Sequence, residues 1–210
     1  MRLGSRWACV ALNSMVWAYG AKIALWRQRP ECIATLPSLN PMTQNASPTS
    51  ELESTLVVRL ATDADKTRLN LLVNSAFSIE TFLDGTRTNE ESLAAMMRKG
   101  AILAAEDGDG RLIGCVYTEV RGERGYLGML TVDPARQRTG LGTRIMRAAE
   151  DHLRSHGCQA VDIIVLSLRS ELPPIYRRYG FVETGTEPYD LGRTITSGED
   201  CHFIVMSKDL

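Results

Sequence analysis

"VDPARQRTGLGTRIM", Val132 to Met146, decides how this chain is read. An apolar, strand-like run, "YLGMLTV" (126–132), leads into it. Asp133 and Pro134 end the strand, because proline has no N–H to give a ladder. An amphipathic helix follows from about Thr139 to His156, with Ile145, Met146, Ala149 and Leu153 on one side. Gly140 and Gly142 sit where strand hands over to helix. The first N–H groups of a helix lack partners inside it, and the helix dipole makes that end positive. Glycines let backbone amides turn inward and let a ligand come close. Arg136, Arg138, Arg144 and Arg147 add positive charge nearby. The junction is therefore suited to a phosphate or pyrophosphate.

Two familiar phosphate loops are excluded. A Walker loop needs GxxxxGK[ST], and its lysine is absent. A dinucleotide loop needs GxGxxG, and the residue three past Gly142 is Ile145. The pattern present is Gln137-x-x-Gly140-x-Gly142, preceded by "LTVDP". It resembles the acetyl-CoA loop of the GNAT acetyltransferase superfamily. A second block, "SELPPIYRRYGFVETG" (170–185), resembles that family's other signature, a short helix ending in Tyr-x-x-x-Gly-Phe, here Tyr176, Gly180 and Phe181. The resemblance covers roughly residues 55–208, in the order of elements as well as in the motifs. Many relatives carry an asparagine early in this helix. Arg169 and Ser170 stand in that region instead, so no side-chain contact to pantetheine is carried over to it.

The resemblance implies a site. The loop between the fourth strand and third helix would hold the CoA pyrophosphate, through Gln137, Arg138, Thr139, Gly140, Leu141, Gly142 and Thr143. The pantetheine arm would pair with the fourth strand through the backbone of Leu130 and Val132. The sheet would splay between strands 4 and 5. Gly128 either marks a bulge that opens the sheet there or is a packing glycine. Tyr176 matches the tyrosine that protonates the departing thiolate, with Tyr179 as its nearby competitor. A phenol of ordinary pKa near 10 is well matched to that transfer.

The function so implied is acetyl-CoA-dependent N-acetyl transfer to the amine of a small molecule or an exposed amino group, by direct attack. The alternative is a non-catalytic acyl-CoA-binding sensor. Acetyl-CoA is the co-substrate and no metal is expected. The general base is open. Glu119, His202, Glu80 and Asp84 are candidates, and for each a solvated or structural role outweighs catalysis. His152 and His156 lie four apart on the third helix, but with no third ligand nearby a solvated face is the better reading.

The rest of the chain reads β-α-α-β-β-β-α-β-α-β-β. This is one α/β domain whose central mixed, mostly antiparallel sheet is flanked by helices. Thr62 is a plausible N-cap for a first helix with Leu69, Leu72, Val73 and Ala76 on one face. Thr88 with Glu91 reads as a capping box for a second, and Gly100 lies just past its end. "DGDG" (107–110) is a hairpin turn between strands.

Residues 1–41 hold five basic groups and one acid, leaving the remainder at a net −5. A body of that sign is a poor nucleic-acid binder and tolerates cationic substrates such as amines. The five cysteines form no CxxC pair and read as buried thiols in a reducing compartment. Sixteen of the twenty residues in 7–26 are apolar, with basic flanks. That stretch fits a secretory signal, a poor membrane anchor, a mitochondrial presequence, or an untranslated leader before Met42. A Pro/Ser/Thr-rich linker follows, so residues 1–50 are set apart from a catalytic domain over 51–210. A cytoplasmic location is expected, with mitochondrial or membrane attachment the alternative if residues 1–41 are made. Homodimers are common among relatives, and nothing in the residues fixes the oligomeric state.

Overall fold

The computed structural model describes residues 56–190 and 192–210. The apolar stretch 7–26, the linker, the boundary after residue 50, and Cys9 and Cys32 lie outside the described residues. In chain order the elements are β1 (Val57–Leu60), α1 (Lys66–Ala76), α2 (Glu90–Lys99), β2 (Ala101–Glu106), β3 (Leu112–Arg121), β4 (Arg124–Val132), α3 (Leu141–Ser155), β5 (Ala160–Leu166), α4 (Leu172–Arg178), β6 (Val182–Pro188) and β7 (His202–Asp209). The order is the one expected from the sequence. The strands form one sheet in the order β1-β2-β3-β4-β5-β7-β6, antiparallel at every pair except β4–β5.

Strand alternation sorts the core into two layers. Ile102 and Ala104 of β2 face Leu69 and Val73 of α1 and Leu93 of α2. Leu103 and Ala105 face the other way, onto Ile145, Met146, Ala149 and Leu153 of α3. The sheet is thus covered on both faces. β7 lies between β5 and β6, with Phe203 and Met206 buried, while β6 is exposed over most of its length. The polar sequence of β6 and its terminal Pro188 suit an edge.

Two helix ends differ from the sequence reading. The N-cap of α2 is Asn89, not Thr88. Its side chain accepts from Ser92 N–H at 2.8 Å, and its own N–H donates to Ser92 Oγ at 3.0 Å. Thr88 is otherwise engaged: its N–H donates to Asn74 Oδ1 at 3.0 Å, which ties α2 to α1. Gly100 does end α2, but in an extended conformation, φ −152. Space is the reason for glycine there, since a Cβ would fall 2.3 Å from Thr118 O.

The feature that positions the site is the parting of β4 from β5. Arg124, Gly125 and Tyr126 pair with Ala160, Val161 and Asp162, and the parallel ladder stops there. β4 runs on from Leu127 to Val132 with no partner in β5. β5 continues against β7 alone. At the closed end Arg124 grips Asp162 through Nε at 2.8 Å and through Nη2, and Ser207 Oγ donates to the same carboxylate at 2.6 Å. At the open end a bulge places Met129 and Leu130 opposite Val116 alone, with Met129 at φ 52. The bulge is carried by Met129, one residue beyond Gly128.

Candidate active site

The open lip of β4 offers backbone groups that β5 does not pair. Asp133 N–H donates to Ile113 O at 2.9 Å, so the alternation turns the N–H and C=O of Val132, and of Leu130 before it, toward the unpaired edge. Gln137 folds back so that its Nε2 donates to Val132 O at 3.4 Å.

The lip leads directly into a cradle of amides. Arg138 has φ 64 and Gly140 has φ 81, and these two left-handed residues curl the loop before α3. The N–H groups of Arg138, Thr139 and Gly140 donate to nothing among the described residues. Those of Leu141, Gly142 and Thr143 belong to the first turn of α3, whose first i→i−4 bond runs from Arg144 N–H to Gly140 O at 3.2 Å. Gly140 needs its left-handed conformation. Gly142 has no such need, because a Cβ there meets only Val132 Cγ2 at 3.6 Å. Glycine inside a helix is unfavourable by roughly 0.5–1 kcal/mol, and nothing among the described residues requires it at 142. Arg136 is drawn to Asp107 at 3.4 Å, while Arg138, Arg144 and Arg147 are exposed and carry no ion pair among the described residues.

Tyr176, on α4, packs against the core layer that holds Phe181, and the geometry of α4 explains the Tyr-x-x-x-Gly-Phe spacing. Gly180, φ 91, reverses the chain after α4. Its N–H donates to Arg177 O at 3.0 Å, and Phe181 N–H donates to Tyr176 O at 3.2 Å. This pair of bonds is a Schellman motif, with Phe181 brought back under the Tyr176 ring, centroids 5.8 Å apart. Prolines at the first turn of α4 lose no bond the helix could make. The Tyr179 hydroxyl is committed to Thr143 Oγ1 at 3.1 Å. The Tyr176 hydroxyl has no hydrogen-bond partner among the described residues. Burial pushes the Tyr176 phenol up to about 12, aided by the neighbouring Tyr126 phenol and opposed by the Arg169 guanidinium. Tyr126 itself lies back over Gly128, where a Cβ would come within 2.9 Å of its hydroxyl.

The base candidates separate. Glu119 is buried and holds Arg121 at 2.9 Å, Lys99 at 3.1 Å and the Tyr117 hydroxyl at 3.0 Å. Burial opposes its charge, but hydrogen bonds from Arg121 and Lys99 outweigh it and hold the carboxyl below the usual carboxylate range. It is a structural anion. Asp84 is exposed and accepts from Thr194 N–H at 2.7 Å, and His202 is exposed. Glu80 is buried, 6% exposed, and accepts from Arg169 Nη1 at 2.8 Å. This last pair spans 89 residues and carries no sequence signal. Among the described residues no group of three or more His, Cys, Asp or Glu side chains is placed to hold a metal. His152 on α3 and His156 at its C-cap bring their rings to 4.4 Å between centroids, tilted by 50°. No helix among the described residues is long and apolar enough to cross a membrane.

A sheet parted at its one parallel pair, with free amides along one lip and at the adjoining helix mouth, defines a class. It is an α/β domain whose mixed sheet parts beside the mouth of its longest helix. The acetyltransferase (GNAT) domain matches residues 62–197, and the chain belongs to that family. It is 34% identical over 86 residues to a mycothiol acetyltransferase of Clavibacter michiganensis, an alignment covering 41% of this chain and 28% of that protein. It is 34% identical over 109 residues to glucosamine 6-phosphate N-acetyltransferase 1 of Oryza sativa, covering 48% of this chain and 64% of that one. The chain therefore spans less than two thirds of the length of these relatives. A Salmonella typhimurium structure containing its cofactor acetyl-CoA shares the fold, with a TM-score of 0.58 at 19% identity over 74% of this chain and 94% of that one.

Proposed function

We propose that residues 51–210 form an acetyl-CoA-dependent N-acetyltransferase that acetylates the amine of a small molecule by direct attack. The observation that carries this reading is the run of unpartnered N–H groups from Arg138 to Thr143, continuous with the open lip of β4. A diphosphate accepts hydrogen bonds from those amides and gains from the helix dipole. The pantetheine arm then adds to β4 as a strand against Leu130 and Val132, filling the place β5 leaves open.

The thioester so laid along β4 ends near Tyr126 and Tyr176. The amine nitrogen forms the new C–N bond at the carbonyl carbon. As the C–S bond breaks, the Tyr176 phenol gives its proton to the thiolate, and the amine's surplus proton leaves to water. With its phenol pushed up to about 12, Tyr176 holds its proton at neutral pH but gives it up less readily than an ordinary phenol near 10, and the phenolate left by the transfer is reprotonated from water. Cys115 and Cys158 are buried, which argues against either as an acyl-enzyme nucleophile. Burial pushes the Cys115 thiol up to about 12 and raises that of Cys158, so neither is a thiolate nucleophile. The rice relative's name points to a small sugar amine, which supports a small-molecule acceptor.

The test is CoA release from acetyl-CoA across a panel of sugar amines, polyamines, arylalkylamines and amino acids, alongside calorimetric titration with acetyl-CoA. Heat on binding with turnover on at least one amine is expected. Binding without turnover on any amine, unaffected by Tyr176→Phe, would instead define an acyl-CoA-binding module.

A further inference from the structure

The C-terminal end of α3 carries two side chains that acetyl transfer does not use. His152 lies in the last turn and His156 is the C-cap. The spacing is His-x-x-x-His, which puts both rings on one side of a helix, as in the zinc-binding H-E-x-x-H helix.

His156 is held in the pose of a ligand. Its Nδ1 lies 2.8 Å from His152 O, and a carbonyl can only accept, so Nδ1 carries the proton and donates. Ser155 Oγ donates to the same carbonyl at 2.7 Å. The lone pair of the neutral ring is then on Nε2, on the side away from the carbonyl. A ring N–H given to a backbone carbonyl is the usual outer-shell support of a metal-bound histidine, because it fixes tautomer and orientation. His156 is exposed. His152 is half-buried, its ring nitrogens have no hydrogen-bond partner among the described residues, and neither is shut off from solvent. Capping explains His156. It does not explain why the His152 ring lies against it.

The separation of the rings selects the ion. With metal–nitrogen bonds of about 2 Å, an imidazole centroid lies roughly 3.2 Å from the ion it binds. Two rings meeting at a right angle then have centroids roughly 4.5 Å apart, and at a tetrahedral angle roughly 5.2 Å. The observed separation is 4.4 Å, and the tilt of 50° departs from a flat stack. Right angles between nitrogen ligands belong to the square-planar and tetragonal shells of nickel(II) and copper(II) rather than to tetrahedral zinc. Charge agrees. A helix C-terminus favours a cation, and the nearby Arg154 guanidinium is neutralised by Asp151 at 2.7 Å and Glu150 at 3.6 Å.

We infer that His152 and His156 form a two-histidine site for a divalent ion of the nickel or copper type, bound through Nε2 of His156 and a ring nitrogen of His152. No group of three or more His, Cys, Asp or Glu ligands exists among the described residues, so water completes the shell. The site is independent of the acetyltransferase reading. α3 has 15 residues, which puts the pair roughly 22 Å from the amide cradle at the other end.

The experiment uses the full chain, purified without a histidine tag and titrated calorimetrically with nickel(II) chloride. One ion per chain is expected. His152→Gln and His156→Gln are each expected to weaken its binding at least about tenfold, since even an outer-shell partner of a ligand is worth that much. His202→Gln removes the only other histidine of the chain and is expected to leave binding unchanged. The ion is also expected to raise the melting temperature of the wild type and not of the two helix variants, because only the folded helix brings the rings together. If a helix variant fails to fold, the wild type with one equivalent of copper(II) carries the test: its electron paramagnetic resonance spectrum is expected to show coupling to two nitrogens. The inference is overturned if no nickel binds, if either helix variant keeps the wild-type affinity, if His202→Gln abolishes binding, or if copper couples to fewer than two nitrogens.

Discussion

Tyr126 is the last residue of β4 to find a partner in β5, and that partner is Asp162. Asp162 is also the residue that Arg124 and Ser207 grip, so the parallel ladder is clamped at the point where it is about to end. The clamp lets the two strands diverge without the sheet falling apart. Asp162→Ala leaves the Arg124 guanidinium, which is 41% exposed, without its anion and frees Ser207. Because that guanidinium partly sees water, a loss of about 2 kcal/mol is expected, below the 3–5 of a fully buried pair. Thermal unfolding measures it. An unchanged melting temperature in Asp162→Ala would show that the clamp contributes nothing.

A second ionic cluster ties the front of the domain together and sets its acid limit. Arg59 of β1 holds Asp65 through two bonds of 2.8 Å, and holds Glu106 of β2 at 2.7 and 3.1 Å. The Arg59 hydrogen bonds, opposed by burial and assisted by Thr62, keep the Asp65 carboxyl far below the usual carboxylate range. Glu106 is lowered for the same first reason. A depressed folded value means stability that is complete above the unfolded value, near 4, and lost as pH falls through the folded one. Denaturant midpoints measured from pH 6 down to pH 2 are expected to fall most steeply below about pH 4. Asp65→Asn is expected to flatten that slope while lowering the plateau at pH 6.

Much of this was legible in the residues because local rules governed it. The glycine loop, the Tyr-x-x-x-Gly-Phe block and the order of elements each depend on backbone chemistry within a few positions, and each stands where expected. What escaped depends on tertiary neighbours. Asn89 is the cap, and Thr88 is tied instead to Asn74 on another helix. The bulge sits at Met129, φ 52, while Gly128 supplies the space across which Tyr126 lies. Arg138 adopts a left-handed conformation no residue preference announces. The insertion of β7 between β5 and β6 has only a faint trace, the polar composition of the edge strand β6. The Glu80–Arg169 pair joins two loops that no sequence spacing connects.

Tyr176 and Tyr179 differ in what their hydroxyls do, and substitution separates them. Tyr176→Phe keeps the edge contact with Phe181 and removes only an unpartnered hydroxyl. It is expected to lower kcat about 100-fold, the size of one general-acid contribution, with the acetyl-CoA Kd unchanged. Tyr179→Phe loses the bond to Thr143 and is expected to weaken acetyl-CoA binding modestly while sparing kcat. Wild-type rates between pH 7 and 10 should show no fall from ionisation of Tyr176, because its phenol is pushed up to about 12. That raised value also bears on stability. The neutral phenol's contribution is present below the unfolded value near 10 and is lost as pH rises through 12. Tyr176→Phe is therefore expected to resist alkaline unfolding above pH 10 better than the wild type.

Gly140 and Gly142 offer the sharpest separation of structure from ligand binding. Gly140 is at φ 81, so Gly140→Ala forces a Cβ into the left-handed region at about 1–2 kcal/mol. Gly142 lies within α3, and a Cβ there makes only an ordinary contact with Val132 Cγ2 at 3.6 Å. Gly142→Ala is therefore expected to stabilise the ligand-free protein by about 0.5–1 kcal/mol through helix propensity. Both methyl groups would stand where a diphosphate must approach the amides from Arg138 to Thr143. Both variants should then lose acetyl-CoA affinity, by roughly tenfold or more if one amide contact is broken. Melting temperatures that move in opposite directions while calorimetric affinities fall together would tie both glycines to the ligand. If Gly142→Ala instead binds acetyl-CoA as tightly as the wild type, the diphosphate does not lie in this cradle, whatever the fold around it.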